Sequence, residues 1–175
     1  MLGSGALHLD GFLDACDGLL GGQTPQARLE IMKDERVGAF ALAGGILLLL
    51  MKYSALAGIE GISPALILAP VLSRWAMAAA IFAFPYARPE GLGKAMKDHT
   101  TMRQVLVATL FATGISVFIL GWPGLAAAGL ALLVMLGAAR ITLRRIPGLT
   151  GDLYGAINEL VEAAVLLFFT GRWMA

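Results

Sequence analysis

The chain has 175 residues, 58% of them hydrophobic and only 14% charged, with a net charge of +1 and a mean hydropathy of +0.79. That apolar share exceeds what a water-soluble domain of this length can bury, so the composition excludes an ordinary soluble protein and places the chain in a lipid bilayer. The near-neutral balance gives nucleic acid no basic surface to bind, and a lone cysteine, Cys16, excludes an internal disulfide.

Residues Met1 to Leu7 lack the basic segment and long apolar core of a signal peptide, and they read as the second half of a membrane helix that ends near Leu20. Apolar windows then predict spans at Val37 to Gly58, Ile62 to Ala83, Val105 to Leu120, Leu125 to Ala139 and Leu153 to Thr170. Turn-forming residues fall between them: Gly21-Gly22, Gly61 with Pro64, Pro85, Trp122-Pro123-Gly124 and Pro147-Gly148. The expected fold is an all-α integral membrane protein, a polytopic helical bundle with about five full transmembrane helices and a partial one at the N-terminus. Residues 1–175 form a single helical membrane domain in this reading.

Lys and Arg alternate along the connections. Arg28, Lys33 and Arg36 precede the first full span, Arg88, Lys94, Lys97 and Arg103 follow the second, and Arg140, Arg144 and Arg145 follow the fourth, while the intervening turns carry none. The positive-inside rule puts these three loops on the cytoplasmic side, with only Arg172 against it. The unusual polar motifs lie at this face, so they can share one site.

The first motif, His8-Leu9-Asp10-Gly11-Phe12-Leu13-Asp14-Ala15-Cys16-Asp17-Gly18, spaces three carboxylates at i, i+4 and i+7. On an α-helix these fall on one face. Like charges crowded at a membrane border take up protons unless a cation lies between them, and an all-oxygen ligand set favours a hard ion. Asp10, Asp14 and Asp17 are therefore expected to bind Mg²⁺. His8 lies nearly opposite Asp10 and reads as a packed, hydrogen-bonded imidazole. The following loop, Pro25 to Gly38, mixes acids with Arg28, Lys33 and Arg36. Cations beside a metal cluster point to phosphate, although a solvated juxtamembrane helix would have the same composition.

Pro85-Tyr86-Ala87-Arg88-Pro89-Glu90-Gly91-Leu92-Gly93-Lys94 is a glycine-rich connection able to close around an anion, or a plain turn. Arg74 lies inside an apolar run, where an unpaired cation costs several kcal/mol, so it should face a carboxylate or a wet cavity. The last span carries Asp152, Asn158, Glu159 and Glu162, with Asp152 and Glu159 seven apart on one face. Gly151 and Gly155 would let this helix approach a neighbour closely and bring its acids toward the first motif. In-span acids also suit a cation-coupled transporter, and spaced aspartates suit another diphosphate-using membrane transferase such as a CDP-alcohol phosphotransferase. Against these, the chain shows no internal repeat and no Asp-Gly-x-x-Ala-Arg opening.

Taken together, His8-Leu9-Asp10-Gly11 with Asp14 and Asp17-Gly18, Leu29-Glu30-Ile31-Met32-Lys33-Asp34 with Arg36 and Gly38, Arg88 with Glu90-Gly91-Leu92-Gly93, and Thr150-Gly151-Asp152 with Gly155-Ala156 and Glu159-Leu160 closely resemble the cobalamin synthase family. These are the adenosylcobinamide-GDP ribazoletransferases of the bacterial and archaeal inner, or cytoplasmic, membrane. The resemblance implies a Mg²⁺-dependent enzyme that joins adenosylcobinamide-GDP to α-ribazole, or its 5′-phosphate, and releases GMP. It implies metal at Asp10, Asp14 and Asp17, and diphosphate at Arg28, Lys33 and Arg36. Arg88 and Glu90 join the binding residues, while Asp34, Asp152 and Glu159 complete a second metal position or accept the hydroxyl proton. Expected partners are the two substrates and the bilayer, without nucleic acid. Self-association and contact with other corrinoid enzymes are left open. Family members carry further membrane helix ahead of the first motif, so this chain reads as the portion that follows it.

Overall fold

A computed structural model describes residues 6–59 and 64–170. Among these the elements are α1 (Leu7–Gly21), α2 (Pro25–Ile31), α3 (Ala39–Ala57), α4 (Ala65–Ala83), α5 (Leu92–His99), α6 (Met102–Leu120), α7 (Trp122–Leu143) and α8 (Gly151–Thr170). Five of them, α3, α4, α6, α7 and α8, are long and apolar enough to cross a membrane. This is an all-α polytopic membrane bundle, and each of the five expected spans has its helix. The turn placed at Gly61 and the lone cation Arg172 lie outside the described residues.

α8 is the central helix. It packs against α1, α3, α4 and α7 and buries residues on every side, from Leu153 to Phe169. α6, at the periphery, buries only Ala112 and Ser116 and turns Leu110, Phe111 and Phe118 outward. α3 shows the division within one helix. Ala41, Gly45, Leu48, Lys52 and Ala55 form a buried stripe at alternating spacings of four and three, while Leu42, Ile46, Leu47, Leu50 and Tyr53 are exposed. In water those outward faces would aggregate; in hydrocarbon they are solvated.

Small residues make the helix contacts. Ala69, Ala76 and Ala80 of α4 and Ala127, Ala128 and Ala131 of α7 are fully buried, because helices gain no hydrophobic drive from one another in lipid and must pack closely instead. The α6–α7 turn is tighter than the sequence suggested. It consists of Gly121 at φ 60°, with Trp122 and Pro123 already in the first turn of α7. Proline suits that position because its fixed φ is helical and the missing N–H has no partner to lose. The second polar loop also differs from expectation, since residues 92–99 fold into the amphipathic α5.

The charges inside the bundle neutralise one another. Lys52 Nζ lies 2.5 Å from Glu159 and 3.2 Å from Glu162, and Arg74 lies 3.9 Å from Glu162 while donating to Asn158 Oδ1. Arg74 thus meets the carboxylate expected of it, and Lys52, hidden in an apolar run, proves to be the main partner of Glu159. Removing one member strands its partner at low dielectric, which costs about 3–5 kcal/mol. Lys52→Met, which keeps the bulk and deletes the charge, should therefore lower the thermal midpoint of the detergent-solubilised protein sharply. Lys52→Arg should restore most of the loss in the same melting measurement.

Candidate functional site

The site is built where α1 and α8 touch. A Cβ added to Gly11 would stand 2.8 Å from the Asp152 carbonyl oxygen and 2.9 Å from its Cα, and one added to Gly155 would stand 3.0 Å from the His8 oxygen. Two glycines thus let the backbones meet at two levels, in antiparallel register. Gly155 makes the close approach read from the sequence, whereas Gly151 faces Gly93 of α5. The contact puts Asp14 within electrostatic reach of Asp10, Asp152 and Asp17 and of the Arg88 guanidinium.

Arg88 arrives by a separate device. Leu149 N–H donates to Pro85 O and Ala87 N–H to Leu149 O, each at 2.8 Å, forming a one-residue parallel bridge between Tyr86 and Leu149. Gly148 permits it, since a Cβ there would lie 2.7 Å from Pro85 O. The two loops are thereby tied, and Arg88 pairs with Asp152 at 2.9 Å. Thr150 Oγ1 accepts the Leu153 N–H and donates to Asp152 Oδ2 at 3.2 Å, fixing the start of α8.

Two basins open at this end of the bundle. The first, about 220 Å³, lies between α1, α8 and α5 and is lined by His8, Asp10, Met77, Tyr86, Arg88, Leu92, Met96, Asp152 and Tyr154, among others. The second, about 210 Å³, is lined by Asp10, Asp14, Lys33, Asp34, Glu35 and Arg36 with several apolar neighbours. Asp10 lines both, so the first acidic motif forms the partition between them.

Asp17 has another task. Its two oxygens accept the Gly38 and Ala41 N–H groups at 2.6 and 2.9 Å, capping α3 from α1. Gly38 leaves room for this, because a Cβ there would stand 2.7 Å from the carboxylate. Arg36 is exposed and donates to both oxygens of Asp34 at 2.9 and 2.7 Å. That side-chain pairing, reinforced by the Arg36 backbone N–H, holds the Asp34 carboxyl down at about 2. A carboxylate held so low is a weak general base near neutrality.

The remaining expected residues lie farther out. Lys33 pairs with Glu30 at 3.5 Å on the rim of the second basin. Arg28 donates to Arg145 O at 3.2 Å and lines neither basin. Glu90 is exposed beside Gly91 and also lines neither. Glu159, two helical turns below Asp152, is held by Lys52 away from both. His8 is packed at the first basin, but its Nδ1 has no hydrogen-bond partner among the described residues.

The sequence reading missed Tyr86, Tyr154, Met77 and Met96 as site residues. Tyr86 and Tyr154 stack with centroids 6.1 Å apart, and nothing in their local sequence distinguishes them from ordinary core aromatics. Among the described residues, no three His, Cys, Asp or Glu side chains are gathered closely enough to hold a metal ion as they stand. The carboxylates around Asp14 nevertheless form an all-oxygen donor set, the chemistry that suits a hard divalent cation.

A family model described as cobalamin-5-phosphate synthase matches residues 1–170. A relative from Desulfitobacterium hafniense (strain Y51), named adenosylcobinamide-GDP ribazoletransferase, is 44% identical over 179 residues, covering 97% of this chain and 68% of its own. Proteins of the same name from Stutzerimonas stutzeri (strain A1501) and Desulforamulus reducens are 45% and 37% identical, covering 94% and 93% of this chain and 68% and 66% of theirs. No solved structure matches. The chain thus belongs to the cobalamin-5-phosphate synthase family, and it is a membrane-embedded transferase of cobalamin biosynthesis.

Proposed function

We propose that the chain joins adenosylcobinamide-GDP to α-ribazole, or to α-ribazole 5′-phosphate, with release of GMP. The observation that carries this reading is the convergence of Asp10, Asp14, Asp152 and Arg88 at one end of the bundle, forced by the Gly11 and Gly155 contacts. A ribose hydroxyl of the acceptor attacks the phosphorus next to the corrinoid. A new P–O bond forms, the bond to the bridging oxygen breaks, and GMP leaves with that oxygen and the electron pair. The hydroxyl proton passes to a carboxylate at the wall of the first basin, where Asp10 and Asp152 both stand.

Arg88 and Lys33 supply cationic partners for phosphate oxygens, and Arg36 does so on release from Asp34. The all-oxygen chemistry of the donor set suits Mg²⁺, which Asp10 and Asp14 would hold with Asp152 on drawing closer together than they stand here. The ion would neutralise charge on the diphosphate. Asp17 serves by seating α3 against α1, and Glu159 by fixing the depth of α8. All three basic loops, those holding Arg28 to Arg36, Arg88 to Arg103 and Arg140 to Arg145, lie at this same end of the bundle. By the positive-inside rule this end faces the cytoplasm, in the bacterial cytoplasmic membrane.

Incubation of the protein in detergent or liposomes with adenosylcobinamide-GDP, α-ribazole and Mg²⁺ should release GMP in step with completed corrinoid. EDTA should stop the reaction and added Mg²⁺ should restore it. Absence of GMP from well-folded protein would refute the assignment. Asp14→Asn and Asp152→Asn should each lower kcat about 100-fold or more while the protein stays in the membrane. Asp17→Asn, which retains a capping oxygen, should instead act chiefly on the melting temperature. Near-normal turnover by the first two variants would remove the carboxylates from the chemistry.

A further inference from the structure

The two basins differ in chemistry. The second is rimmed by Lys33 and Arg36 but also by Asp10, Asp14, Asp34 and Glu35, so it would take a charged diphosphate together with a divalent cation. The first has a wall of thioether, aliphatic and aromatic groups from Met77, Met96, Leu92 and Tyr86. Against that apolar wall a guanine edge would leave its amide and amino groups unmatched, which is costly. A flat base bearing methyl groups and no amide incurs no such cost. At about 220 Å³ this basin is also too small for a corrin macrocycle.

Its polar side is incomplete. His8 Nδ1, Arg88 Nε and Tyr154 Oη are all buried and have no hydrogen-bond partner among the described residues, and all three side chains line this one basin. Buried polar atoms are normally satisfied, so three orphans around one cavity call for a ligand rich in hydroxyl or phosphate oxygens. An apolar flat ring joined to a sugar meets both demands. Asp10 and Asp152 at the same wall would then stand beside the sugar hydroxyls, with the second basin across Asp10.

Resting on the transferase reading, we infer that the basin between α1, α5 and α8 is the acceptor subsite, which takes the nucleoside α-ribazole by its apolar base and its sugar oxygens, while the guanosine diphosphate moiety of the donor is held outside it. His8, Arg88 and Tyr154 bind the sugar or its phosphate, and Met77 and Tyr86 enclose the base.

Calorimetric titration of the purified protein with α-ribazole, and separately with GDP in the presence of Mg²⁺, tests the assignment without turnover. Tyr154→Phe removes one oxygen, and Met77→Trp fills the base position. Each should weaken α-ribazole binding about tenfold or more and leave GDP binding unchanged, which also shows that the variants are folded. Wild-type affinity for α-ribazole in both variants, or a selective loss of GDP binding, would overturn the inference. If the wild type binds α-ribazole with these variant effects yet releases no GMP from adenosylcobinamide-GDP, the acceptor subsite stands and the transferase reading fails.

Discussion

Gly11 and Gly155 allow two helix backbones to touch, and the candidate site depends on that contact. Without side chains at these positions α1 rests on the first turns of α8, so the carboxylates of the opening motif meet Asp152 across a distance that any larger residue would widen. In lipid this closeness is the main source of affinity between helices, since the bilayer already solvates their apolar faces. One packing solution therefore serves two ends. It holds the bundle together, and it concentrates negative charge at one end of it.

Concentrated charge needs support beneath it. Glu159 and Glu162 lie about two to three turns deeper than Asp152 on the same central helix, where they meet Lys52 of α3 and Arg74 of α4, two cations balancing two anions. Because each member is costly to separate from its partners, the group fixes the rotation and depth of α8 against α3 and α4. His8, which lines the first basin, lies within electrostatic reach of all four residues. Polar side chains thus run from the basin into the bundle, ending at Arg74, which is partly exposed.

Much of the fold was legible because hydropathy and basic loops report directly on a bilayer. The five spans and the pairing of Arg74 both follow from the cost of placing charge or backbone in hydrocarbon. The acidic members of the candidate site stand out in the sequence because their spacing is local. Lys52 escaped notice in its apolar run, although the rule applied to Arg74 covers it equally. Asp17 has the helix position of a third metal ligand, and the approach of Gly38, far along the chain, adds a role as a cap for α3 that local spacing cannot show. Glu159 shares a face with Asp152, but seven residues of helix carry it roughly 10 Å deeper. The aromatic and thioether wall of the first basin was invisible, since Tyr86, Met77 and Tyr154 come from three separate elements.

The bridge between Tyr86 and Leu149 joins two connections far apart in sequence, one leading into α5 and the other into α8. Their lengths are consequently not independent: an insertion after Leu143 would shift Leu149, break its bridge to Tyr86 and tilt the Arg88 guanidinium off Asp152. Loops at a membrane surface usually absorb added residues freely, but this pair behaves as a clasp, and evolutionary drift in one half is constrained by the geometry of the other.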